Sequence, residues 1–265
     1  MSKHTPILSP RDLLKKTSKA RLEDFKSFTI KHPLLLQALD ELCSAILDPI
    51  PGSIIFLFGL TGVGKTTLLE YLCMKLTELL HDELKEDKGR IPVVKVQLDS
   101  PLPGKFDWKD YFRNLLVEMN EPLINRKLNM GQWPIQHVDT VVNETDLILN
   151  NLNSASGMRF SAIQALLQRK PLAVLVDDAQ HFGAVGSGRK LIDQTNIIKS
   201  MADKSRATHV LSGTYELVPL RNLNGQLSRR STDIYFKRYR ADNEPQRQQF
   251  ISVLYTFQQR LPLGV

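Results

Sequence analysis

Eight consecutive residues, Gly59-Leu60-Thr61-Gly62-Val63-Gly64-Lys65-Thr66, set three glycines, a lysine and a hydroxyl at the spacing G-x-x-x-x-G-K-[ST]. Each residue type meets a need of polyphosphate binding. Gly59, Gly62 and Gly64 let the backbone N–H groups of the loop, those of Thr61 and Val63 among them, close around an anion. The helix that opens with Lys65, Thr66 and Thr67 then presents its positive end to the same anion. The Lys65 ammonium neutralises β- and γ-phosphate charge, and the Thr66 hydroxyl suits a Mg²⁺ ion.

A site of this kind needs an acidic residue at the end of a second buried strand. LAVLVDDAQH supplies Asp177 at the strand tip, suited to holding Mg²⁺, and beside it Asp178, suited to accepting a proton from the water that attacks the γ-phosphate. An acidic loop start or helix cap is the bland alternative for the pair. Asp178 is one methylene shorter than the glutamate expected there, so slow hydrolysis, as in a timer or switch, is expected. Farther on, Ser212-Gly213-Thr214 ends a further expected strand, ATHVLS-GT. Thr214, and after it Ser212, is the candidate contact to the γ-phosphate or the water, set against a Gly-Thr turn that satisfies its own backbone. In Gln226-Leu227-Ser228-Arg229-Arg230-Ser231, Arg229 or Arg230 offers a rigid fork for transition-state charge, supplied from a neighbouring subunit; a basic surface turn is the competing reading.

These groups need elements to position them. SIIFLF, directly before the glycine loop, is a continuous run of β-formers, as in a strand buried on both faces. Leu68, Leu69, Leu72, Leu76, Leu79 and Leu80 follow at helical spacing and give way to the charged loop HDELKEDKGR. Further strands are predicted over Val93–Leu98, Leu172–Asp177, Ala207–Ser212 and Asp233–Arg238, with helices over Trp108–Met119 and Phe160–Arg169. The alternation predicts an α/β fold with a five-stranded, mainly parallel sheet flanked by helices. Upstream, Leu13 to Phe28 and Leu34 to Ile46 suit a helical lead-in broken near His32-Pro33. Between Glu121 and Ser156, where Pro122, Gly131 and Pro134 blur the pattern, a helix is expected over DTVVNETDLILNNL.

At 265 residues the chain has room for one large domain with appended pieces. With 42% hydrophobic and 24% charged residues it reads as globular, and no apolar run approaches the length of a membrane span. Two cysteines exclude a disulfide framework, the amino terminus lacks an apolar signal segment, and the six histidines have no metal-ligand spacing, only His181 lying near the acidic pair; a reducing cytoplasm is expected. Residues 1–32 and 219–265 each hold eight Lys/Arg against three Asp/Glu, so the net charge of +7 resides in flanks of a slightly acidic middle. Polyanion contact by those flanks, or a solubilising surface, accounts for the pattern.

GLTGVGKTT, LAVLVDDAQH, VLSGTYEL and QLSRRSTDIYFKRY, at these separations, together resemble the TniB/TnsC group of AAA+ ATPases, transposition regulators of Tn7-like transposons, CRISPR-associated ones included. The likeness extends over about residues 30 to 250. It implies a P-loop AAA+ fold with strand order 5-1-4-3-2 and a bacterial cytoplasmic ATPase that uses ATP with Mg²⁺. It also implies a homo-oligomeric ring or filament on duplex DNA, linking a target-selector protein to a transposase, with no membrane contact. In those terms residues 1–50 are a basic helical extension, 51–240 the AAA+ core and 241–265 a partial lid helix, FQQRLPLGV ending inside a shortened lid. Lys105 and Lys109, after the second strand, match the position of the DNA-tracking loop in such proteins. Trp108 and Trp133 stack on bases or partners, or pack in the core. The rival is a monomeric nucleotide switch or adaptor that binds a protein partner without DNA; a metabolic kinase is a third reading.

Overall fold

The computed structural model describes residues 17–49, 53–101, 106–122, 154–183, 189–222 and 231–261. Lys105, Trp133, Arg229, Arg230 and the helix expected over 139–152 lie outside the described residues. The chain divides into two compact units, residues 1–37 with 238–265 and residues 38–237.

Helix α1 (Ser18–Ser27) opens on Thr17, whose hydroxyl accepts the Ala20 N–H at 3.3 Å. Helix α2 (Pro33–Leu47) begins at the proline that breaks the lead-in, since proline at the first helical position has no N–H to forfeit. Its buried residues Leu35, Ala38, Leu39, Leu42, Cys43 and Ile46 form one stripe. Strand β1 (Ile54–Phe58) is buried along its whole length, and α3 (Lys65–Leu79) buries Leu68, Leu69, Leu72 and Leu76. A short helix, α4 (His81–Glu86), occupies part of the run read as a loop. Asp82 and Glu83 in its first turn and Lys85 in its last complement the helix dipole, a local signal that apolar periodicity does not carry.

Strand β2 (Val93–Gln97) precedes α5 (Trp108–Glu118), which Asp107 caps by accepting the N–H groups of Lys109 and Asp110. Helix α6 (Ala155–Arg169) starts five residues before the expected Phe160, because the Ser154 hydroxyl accepts the Gly157 N–H at 3.0 Å. Then come β3 (Ala173–Asp177), α7 (Arg189–Ser205), β4 (Thr208–Gly213), α8 (Val218–Asn222), β5 (Ser231–Tyr235) and α9 (Glu244–Gln258). The last strand lies earlier than the expected 233–238. It pairs from Ile54↔Ser231 to Phe58↔Tyr235, so the five residues of β1 set its limits.

The sheet order is β2-β3-β4-β1-β5 with every neighbouring pair parallel, which is the expected order read from its other edge. Strands β1, β3 and β4 are fully buried, whereas the two edge strands are not. Register aligns Gln97 with Asp177 and Phe58 with Gly213 and Tyr235, so the chemistry-bearing residues collect at the carboxyl edge of the sheet. Beside this edge an aromatic cluster forms, in which the Trp108 ring lies 5.3 Å from Phe182 and 5.7 Å from Phe112. Trp108 is therefore a packing residue.

In the other unit, Phe25 meets Phe257 edge to face, the Tyr239 hydroxyl lies 3.1 Å from His32 Nδ1, and the Arg260 guanidinium sits 4.7 Å from the Phe28 ring centre. Helix α9 lies within the segment expected as a lid and is capped by the Asn243 side chain, which accepts the Gln246 N–H.

Candidate nucleotide site

The loop between β1 and α3 turns through two left-handed glycines, Gly62 at φ 78° and Gly64 at φ 99°. L-residues with a Cβ avoid that region, and successive N–H groups in such turns point toward a common anion position. Thr61 and Gly62 are exposed at the tip, Val63 and Thr67 are half-buried, and Gly59 anchors the loop by donating its N–H to the Gly213 carbonyl at 3.0 Å. Lys65, only 8% exposed, folds back so that Nζ donates to the carbonyls of Gly59 at 2.9 Å and Leu60 at 3.0 Å. Burial pulls its ammonium below the ordinary lysine range, and the negative Asp177 and Asp178 oppose that pull.

Asp177, at the end of β3, is 1% exposed, and its carboxylate collects three donors. Thr66 Oγ1 donates to Oδ2 at 2.7 Å, Ser212 Oγ to Oδ1 at 3.1 Å, and the Asp178 N–H to Oδ1 at 3.1 Å. One carboxylate thus joins the glycine loop, β3 and β4. Among the described residues, no group of three or more His, Cys, Asp or Glu is placed to hold a metal ion. The donors available are instead two hydroxyls and a buried carboxylate, hard oxygens that fit Mg²⁺, an ion that keeps several waters and shares ligands with phosphate.

Asp178 follows at φ 53°, half-buried, and its two oxygens accept from Gln97 Nε2 and Gln180 Nε2, each at 3.2 Å. The Thr214 hydroxyl accepts the Glu216 N–H at 3.4 Å, capping the turn over Tyr215–Leu217. Ser212, the second choice from sequence, is the hydroxyl that reaches Asp177. Sequence reasoning singled out neither Gln97 nor Gln180, because both act through strand register and a tight turn rather than through a motif position. His181 lies beside the site, donating its N–H to the Asp178 carbonyl.

Lys109, exposed on the first turn of α5, lines a cleft of about 740 Å³ at the end of β2. Asp99, Asp107 and Asp110 line the same cleft, so its described charges are mainly acidic and oppose a phosphate there.

A family profile described as an AAA domain matches residues 51–220, well over half of the chain. The chain belongs to the AAA-domain family. The matched span of the AAA domain holds the glycine loop, the acidic pair and the end of β4, and the chain is accordingly a P-loop AAA+ ATPase, a nucleotide-binding protein. Comparison with curated proteins gives no match. Among solved structures, the ADP form of the Aeropyrum pernix ORC2 protein aligns with TM-score 0.46 and 11% identity over 87% of this chain. The AAA-domain chain spans 54% of that protein. Among the described residues, no helix is long and apolar enough to cross a membrane.

Proposed function

We propose that this AAA+ protein is a slow ATPase of the TniB/TnsC type, which assembles as a ring or filament on duplex DNA and links a target-selector protein to a transposase. The contact that carries the catalytic half of the reading is the Thr66–Asp177 hydrogen bond, which joins the phosphate loop to the acidic strand. In this scheme the loop amides of Gly59 to Thr67 and the Lys65 ammonium bind the polyphosphate, and Asp178 accepts the proton of the attacking water. Mg²⁺, held by Thr66 and Asp177, would supply charge neutralisation at the β- and γ-oxygens. Ser212 orients Asp177, while Thr214 shapes the turn facing the γ-phosphate. Arg229 or Arg230 completes a neighbour's site, so nucleotide binding and assembly are coupled.

Charge partition supports the DNA half. The unit formed by residues 1–37 and 238–265 holds twelve Lys/Arg against five Asp/Glu, and residues 38–237 hold 23 of each. The whole formal excess of +7 therefore belongs to one unit, made of both chain ends. Sequence-independent phosphate contact is assigned there, with Lys105 and Lys109 as lesser contributors. Residues 1–50 act as a basic extension, 51–240 as the core and 241–265 as a partial lid.

Sedimentation and negative-stain imaging with ATP and duplex DNA test the reading. Lys65→Ala is expected to stay unassembled, and Asp178→Asn to assemble without turning ATP over. Normal assembly by the Lys65 variant overturns the scheme, and a wild-type protein that remains monomeric and ignores DNA at low salt establishes the switch or adaptor instead.

A further inference from the structure

Asp178 adopts a left-handed conformation, φ 53° and ψ 36°, immediately after a buried strand. A residue with a Cβ stays there only where its surroundings hold it. Two glutamine amides do so. Gln97 is exposed at the end of β2, where water competes for its hydrogen bond. Gln180 is half-buried and engaged at both ends: Nε2 donates to Asp178 Oδ1 at 3.2 Å, and Oε1 accepts the Thr214 N–H at 3.3 Å. A planar amide holds its donor and acceptor at a fixed separation, so this side chain ties the acidic turn after β3 to the end of β4.

Gly213 makes room for that tie. A Cβ there would lie 2.5 Å from Gln180 Oε1 and 2.8 Å from Leu217 Cδ1, closer than van der Waals contact permits. A side chain at Gly213 would therefore displace the Gln180 amide and the buried Leu217, and no positive φ is involved.

We propose that Gln180 is the positioning residue for Asp178, clamping its carboxylate against the end of β4 through the Thr214 N–H. This rests on the reading of Asp178 as proton acceptor. The amide carries no charge and moves no proton itself; it sets where the Asp178 oxygens stand relative to the loop. A displacement of about 1 Å at such a group costs on the order of 100-fold in rate.

The test is single-turnover and steady-state ATP hydrolysis by the full chain, with ATP affinity measured separately by equilibrium binding and fold integrity by urea midpoint. Gln180→Leu, which keeps bulk but loses both hydrogen bonds, is expected to lower kcat about 10- to 100-fold while the ATP dissociation constant stays within about threefold. Gln180→Glu keeps the acceptor for Thr214 but turns a carboxylate toward Asp178, and is expected to lose as much. Unchanged kcat in both Gln180 variants, or a loss of ATP affinity as large as the loss in kcat, overturns the clamp. If Asp178→Asn is inactive while Gln180→Leu is fully active, the clamp alone fails; if Asp178→Asn retains wild-type turnover, the proton-acceptor reading fails together with it.

Discussion

Acid should loosen the sheet through one side chain, His209. It lies on β4, level with Ile54 of β1 and Val174 of β3, is 1% exposed, and has its Nε2 3.1 Å from Ser205 Oγ. Burial lowers its pKa from 6.5 to about 4. Between those values the unfolded chain takes up a proton that the folded chain refuses. The stability that the neutral ring secures is complete above pH 6.5 and is lost as pH falls toward 4. At about 1.36 kcal/mol per pH unit, moving from pH 7.5 to pH 5.0 removes about 2 kcal/mol, and reaching pH 4 about 3 kcal/mol. The assay is urea unfolding at pH 7.5 and 5.0 for the wild type and His209→Gln, which puts an uncharged amide opposite Ser205. Subtracting the two pH values cancels the fixed cost of the substitution and the contribution of other histidines, including His32, whose pKa burial also lowers. The wild type is expected to lose about 2 kcal/mol more than the variant. Equal losses would refute the argument. Because β4 also carries Ser212 and Gly213, ATP turnover should weaken along with the strand.

Three further outcomes follow from the geometry. A Cβ at Gly62 meets nothing within 4 Å and one at Gly64 only the Phe236 ring at 3.8 Å, so alanine at either costs left-handed strain alone, about 1–2 kcal/mol. Melting points should fall by roughly 2–8 °C and nucleotide affinity more severely; an unchanged melting point would contradict the φ values. Ser212→Ala removes a buried donor to Asp177 and should cost about 1.5–3 kcal/mol in urea unfolding, a neutral result showing that the carboxylate is held by Thr66 and the Asp178 N–H alone. Exposed Lys19, Lys26 and Arg238 belong to the basic unit, and changing all three to glutamine should flatten the slope of log affinity for duplex DNA against log salt by about 0.9 per lost contact. Lys109→Ala, amid acidic neighbours, should change that slope less; the reverse ranking would move the DNA contact to the cleft.

Local pattern carried most of the core fold. A continuous apolar run marked β1, and the glycine-lysine-hydroxyl spacing marked the loop, because both signals arise within a few residues. The edge strand β5 was misplaced by two residues at its start, since its limits come from pairing with Ile54–Phe58 rather than from its own composition. Helix α4 was missed because charge placement, not an apolar stripe, sustains it. The choice between Thr214 and Ser212 was likewise nonlocal. Ser212 follows the Val176↔Leu211 pair of the parallel β3–β4 alignment, which brings its hydroxyl to Asp177, whereas Thr214 lies beyond the end of β4 and caps its own turn.

By itself, then, the amino-acid sequence determined where a glycine-rich phosphate-loop motif lies and that α and β elements alternate, for these follow from residue type and short-range spacing. Tertiary structure alone decided that Gln97 reaches Asp178, that the Thr214 N–H reaches Gln180, that a side chain at Gly213 would crowd Gln180 and Leu217, and that two distant basic ends form one unit. Those contacts join segments well apart in the chain, and only packing and strand register bring such segments within hydrogen-bonding distance.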